Sequence, residues 1–123
     1  MPFASLIGAE LVSASPEEVR GRLEWAPERC TIGGVLHGGV LMSLADSIAA
    51  YCTVLNLPAG ASTATIESKT NFFRPVRDGY VEAVSTPLHV GRTTIVVQTD
   101  VLDAQGKRVA RVTQTQAVIL PAS

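Results

Sequence analysis

Hydrophobic and polar positions fall into two kinds of pattern along this chain. Between residues 17 and 26, Val19, Gly21, Leu23 and Trp25 alternate with Glu18, Arg20, Arg22 and Glu24. A period of two predicts a half-buried strand with a solvated outer face. A shorter strand-like run, 9–14, precedes it across Ser15-Pro16, and residues 2–8 predict a helical turn against the body. From residue 38 the pattern changes. The run GGVLMSLADSIAAYCTVLN follows His37, is almost wholly apolar or small, and gives way to Leu57-Pro58-Ala59-Gly60. A helix over 38–56 is expected, since proline and glycine terminate helices. Four more strand-like runs follow, at 62–73, 80–90, 93–102 and 107–120, separated by turn-rich segments at 75–79, 91–92 and 103–106. The order β-β-α-β-β-β-β predicts an α+β fold. Its long helix is buried against the concave face of an antiparallel sheet whose C-terminal strands are expected to meander.

Charge sharpens the picture at one point. Between positions 30 and 66 a single charged side chain occurs, Asp46. At 100° per residue, Val40, Leu41, Leu44, Ile48, Tyr51, Cys52 and Leu55 share one broad stripe of the helix. Asp46 lies on the opposite side, with Met42, Ala49, Ala50 and Thr53 beside it and Ser43 at its edge. A solvated helix face would carry many charges; this one carries small residues, one Met and one acid. Such a face is expected to be covered by a second subunit, a ligand, or both. A covered carboxylate is partly desolvated and suited to act as base or nucleophile near neutral pH.

The glycines before it supply a complement. Free backbone N–H groups at a helix N-terminus stabilise developing negative charge, and glycine admits a carbonyl closely. Gly38 and Asp46 are eight residues apart, about 12 Å of helical rise. One chain cannot easily bring both to a single reacting centre. A composite site is therefore expected, with Gly38 from one chain, Asp46 from another, and at least a dimer.

Bulk properties narrow the function classes. The chain has 123 residues, expected to form one domain over 1–123, with 46% hydrophobic residues and a formal net charge of −1. No basic footprint for nucleic acid is present. The segment MPFASLIGAE lacks a basic n-region, so no secretory signal is expected. Cys30 and Cys52 show no metal-ligand or disulfide spacing and read as free thiols of a cytoplasmic protein. The apolar run from residue 38 is interrupted by Ser43, Asp46, Ser47 and Thr53, and an acid near a bilayer centre costs roughly 2.5–3.5 kcal/mol. A membrane span is not expected. Nor is a metal, since no histidine and carboxylate pair has ligand spacing. Ser43 and Ser47 lack a G-x-S-x-G elbow, which disfavours a serine hydrolase. His89, alone in a strand, reads as structural.

At these residues the chain resembles a known family. HGGVLMSLADS, followed by NFFRPVRDG and PLHVGRTT, resembles the hotdog-fold acyl-CoA thioesterases, especially the branch with phenylacetate-degradation and 4-hydroxybenzoyl-CoA enzymes. The resemblance runs from about residue 25 to 119. It implies a hotdog fold, with the sheet wrapped round the helix, side-by-side dimers with a continuous sheet, and a dimer of dimers. By that resemblance Asp46 is the nucleophile or general base, the Gly38 N–H polarises the thioester carbonyl, and His37 helps position it. Gly39, Asn71, Arg74, Gly91, Arg92 and Thr93 fall on the substrate side, along the coenzyme A channel. No separate cofactor is implied, because the coenzyme A thioester is the substrate. Arg74, Arg77 and Arg92 are expected to cluster at strand ends, where arginines suit the phosphates of a nucleotide tail. Two positions depart from the family's pattern. Thr31 stands where some branches have Gln or Asn, and Ala50 where some have Thr or Ser.

The expected activity is hydrolysis of an aryl- or medium-chain acyl-CoA to free acid and coenzyme A. A hydratase or dehydratase on the same fold, or a non-catalytic acyl-CoA-binding module, are the alternatives. The first wants a paired acid and histidine on the helix, and the intact HGG-to-Asp46 set argues against the second.

Overall fold

A computed structural model of the chain describes residues 1–122; Ser123, the end of the expected domain, lies outside the described residues. The elements are α1 (Pro2–Ile7), β1 (Glu10–Ala14), β2 (Val19–Glu24), a 3-10 turn at Pro27–Arg29, α2 (Gly38–Leu55), β3 (Ser62–Phe72), β4 (Tyr80–Val90), β5 (Thr94–Asp103) and β6 (Arg108–Ile119). The six strands form one antiparallel sheet in the order β1-β2-β4-β5-β6-β3.

Each strand's inward set follows from its alternation. In β2, Val19, Gly21 and Leu23 are buried while Arg20 and Arg22 ride on the outer face. There both arginines bond Glu82 of β4 at 3.1 and 2.9 Å. In β4 and β5 the inward residues are Val81, Ala83 and Ser85, and Ile95, Val97, Thr99 and Val101. The one hydroxyl pair among them, Ser85 and Thr99, is satisfied internally at 2.7 Å. These side chains close over Leu41, Leu44, Ala45, Ile48, Ala49 and Cys52 of α2. The helix is long and apolar enough to cross a membrane. Here those apolar residues fill the hollow of the sheet.

Gly21 shows how tightly β2 lies on the helix. A Cβ there would collide with the side chain of Ile48, itself 2% exposed. We expect Gly21→Ala to destabilise the fold by about 1–3 kcal/mol through overpacking, seen as a lower denaturant midpoint at unchanged slope.

Two expectations need correction. The four C-terminal strands do not all meander: β4, β5 and β6 do, but β3 crosses over to pair with β6 at the far edge. The buried sector of α2 is also wider than one stripe. Ala49 and Thr53, placed beside Asp46 by the helical projection, are both 0% exposed, because the curved sheet wraps more than half of the helix. Leu55, placed in the stripe, is exposed at the helix end. What remains open on Asp46's side is Met42, Asp46 and Val54, with Ser43 and Ala50 half-buried.

Candidate active site

The start of α2 is fixed from its own residues. The loop before it is held by Leu36 N–H donating to Val76 O and His37 N–H to Arg29 O, both at 2.9 Å. His37 is the N-cap, in extended backbone at φ −62° and ψ 132°, and its Nδ1 accepts the Gly39 N–H at 2.8 Å. With Nδ1 as the acceptor, Nε2 is the ring nitrogen left to donate. Gly39 has to be glycine for this arrangement, since a Cβ would lie 2.9 Å from Nδ1. The Gly38 N–H, by contrast, donates to no group among the described residues. Of the two glycine donors, one is used by the cap and the other is free.

Asp46 sits two turns further on and is exposed in the single chain. Its Oδ1 accepts a 2.6 Å bond from Gln114 Nε2. Gln114 stands at an inward position of β6 and is 0% exposed. Asp46, Gly39, Met42, Ser43, Thr65 and Ser68 line an open cleft of about 410 Å³. The Ser43 and Ser47 hydroxyls donate back to carbonyls one turn earlier, at 2.8 and 2.9 Å, and so belong to the helix backbone. Gly38 lies elsewhere: it lines an apolar cavity of about 380 Å³ with Leu36, Leu41, Phe72, Phe73 and Arg74. Within one chain, then, His37 and Gly39 hold each other and Gly39 shares a cleft with Asp46. Gly38 and Asp46 open into different cavities.

The expected arginine cluster is also divided. β3 runs from Ser62 opposite Ile119 to Phe72 opposite Ala110. Arg74 donates its N–H to Val109 O at 3.3 Å and so lies at the Phe72 end, with exposed Asn71 nearby. Arg77 follows at that end beside Val76, Asp78 and Asp103. The Gly91-Arg92-Thr93 hairpin lies at the other end, where Thr93 O accepts the Val118 N–H at 2.9 Å. Arg74 and Arg92 are on opposite ends of the sheet because β4 runs its full length between them. One chain makes no cluster of the three.

Sequence reasoning missed Gln114 and its neighbour Thr65, whose Oγ1 accepts a second bond from Gln114 Nε2 at 3.3 Å. The signal was present in T-Q-T-Q on β6, where one polar residue type had to face the core.

A curved antiparallel sheet wrapped around one long helix is the architecture of a hotdog fold. Comparison with known proteins agrees. The family described as the thioesterase superfamily matches residues 33–110. A Mycobacterium tuberculosis protein bearing an esterase name is 31% identical over 116 residues, covering 87% of this chain and 83% of that protein. The 1,4-dihydroxy-2-naphthoyl-CoA hydrolase of Escherichia coli is 31% identical over 86 residues, 70% of this chain and 63% of the hydrolase. The crystal structure of a thioesterase from Haemophilus influenzae superposes with a TM-score of 0.92 at 30% identity, over 96% of this chain and 82% of that one. The chain belongs to the thioesterase superfamily.

Proposed function

We propose that the protein is a cytoplasmic acyl-CoA thioesterase, acting on aryl- or medium-chain acyl groups at a site shared between two copies. The observation that carries the shared site is the exposed edge strand β3, with the two halves of the chemistry set apart along it. Nearly all of its 11 residues are exposed, Ile66 at 61%. A long unpaired edge of this kind is a template for another strand. Gly38 belongs to its Phe72 end, where a Cβ on Gly38 would lie 3.2 Å from Phe72 Cζ. Asp46 belongs to the Thr65 side, through Gln114. Antiparallel pairing of β3 with β3 of a second copy, about a two-fold axis near Ser68, carries the Phe72 end of one chain to the Thr65 side of the other. The same operation puts Arg74 of one copy and Arg92 of the other at one end of the joined sheet, where two guanidinium groups suit a nucleotide's phosphates.

In that site the Gly38 N–H donates to the thioester oxygen as it gains charge, and the His37 Nε2–H is a second available donor. The Asp46 carboxylate of the other chain acts in one of two balanced ways. As base, it takes a proton from water while the oxygen adds to the carbonyl carbon. The C–S bond then breaks and the thiolate recovers the proton. As nucleophile, it adds to the carbon itself and expels the thiolate, and water cleaves the resulting anhydride. The name of the Escherichia coli relative supports coenzyme A as the thiol. Release of free thiol from a panel of aryl- and straight-chain acyl-CoAs tests the reading. We expect turnover of an aryl or medium-chain member; binding with no thiol released from any of them would contradict it.

A further inference from the structure

The bond between Gln114 and Asp46 ties a fully buried side chain to an exposed carboxylate. Gln114 occupies a place in the β6 alternation that Ala110 and Val112 fill with apolar groups. Among the described residues its Oε1 has no hydrogen-bond partner, and burying an unpaired amide oxygen costs stability. A core position that gives up stability in this way calls for a return elsewhere, and among the described residues the charged group to which Gln114 is hydrogen-bonded is Asp46.

We propose that Gln114 is a positioning residue that locks the Asp46 carboxylate in its reactive orientation; this rests on Asp46 being the base or nucleophile. Nε2 donates to Asp46 Oδ1 at 2.6 Å and to Thr65 Oγ1 at 3.3 Å. Thr65 is itself held by Gln116, whose Nε2 donates to the same Oγ1 at 3.0 Å. Both Gln114 N–H groups are thereby directed, and turning the amide over would set Oε1 against a carboxylate oxygen. With Oδ1 fixed from below, Oδ2 is left for the cleft that Asp46 lines with Gly39, Thr65 and Ser68. Nothing on the helix does the same work: Met42, Ala49 and Ala50 carry no donor, and the Ser43 hydroxyl is committed to Gly39 O at 2.8 Å. The sheet supplies what the helix lacks.

The test is Gln114→Met, which keeps length and bulk and removes the amide. We expect kcat to fall roughly 10- to 100-fold, the scale of a misplaced reactive group, with KM within about twofold. The thermal midpoint should hold or rise, because the unpaired Oε1 leaves with the amide. Added to Asp46→Asn, Gln114→Met should cost nothing further, since its effect runs through the carboxylate. Wild-type kcat in Q114M, or a loss that persists in full on top of D46N, would overturn the positioning role alone. Full activity in D46N would instead remove the catalytic reading beneath it. A second measurement needs no change at Gln114. Its side-chain amide proton resonances should lie downfield in the wild type and move upfield in D46N; identical resonances in both would overturn the proposal.

Discussion

Asp46→Asn is expected to lower kcat by roughly 10²–10⁴-fold, the span associated with loss of a positioned base, while leaving the fold and assembly as they are. The substitution keeps the shape of the side chain and removes only its charge and proton affinity. Asn can turn its Oδ1 toward Gln114 Nε2, so the 2.6 Å contact survives as a neutral bond. The residue is exposed in the single chain and fills no part of the core. Stability should therefore change by no more than about 0.5 kcal/mol in a denaturant titration of the chain. A steady-state assay in which D46N turns over acyl-CoA at the wild-type rate would remove Asp46 from the chemistry.

The second large effect belongs to Gly38→Pro. Proline deletes the N–H at the helix start, which has no partner among the described residues, and little else. Gly38 is the first helical residue, where proline is favoured because its missing N–H has no helical partner. His37 already has the extended ψ of 132° that a following proline demands. The pyrrolidine carbon nearest Phe72 meets a ring that is half exposed and free to turn. We expect kcat to drop roughly 10²–10³-fold, the loss seen on removing one oxyanion donor, with the helix content of the protein preserved. Gly38→Ala is the control. It adds the same Cβ beside Phe72 yet keeps the N–H, and should stay within about fivefold of wild type if the N–H is what matters. Equal losses in both variants would mean that crowding at Phe72 is responsible.

The helix itself could be read from the residues in order. Glycine after His37 and proline after Leu57 bounded α2 to within a residue of Gly38–Leu55. The strict alternation of β2 gave its buried face correctly. What could not be read locally was pairing. No signal within residues 62–72 says that this strand will leave its sequence neighbours for β6, because strand partners are chosen by the closing of the whole sheet around the helix. The reach of that sheet also decided the fate of Ala49 and Thr53, small residues that a helical projection places beside Asp46 and that the sheet buries. Gln114 was hidden for a different reason. In T-Q-T-Q both alternating sets are polar, so those four residues alone do not say which faces the core; the phase comes from Ala110 and Val112 before them. The separation of Arg74 from Arg92 was legible in principle. Antiparallel strands turn at alternate ends, and one strand of 11 residues lies between the two loops.

The central claim is that one active site takes Gly38 from one copy and Asp46 from another, and mixing two inactive chains tests it directly. G38P and D46N protein would be unfolded together, refolded and assayed for thiol release beside each parent. In a mixed dimer one of the two sites then joins an intact Gly38 to an intact Asp46, while the other carries both lesions. With random pairing, half the dimers are mixed, so we predict recovery of about a quarter of wild-type activity from an isologous two-fold pair. Activity no higher than that of the refolded parents, in a sample shown to contain mixed dimers, would place both groups in one chain and contradict the shared site.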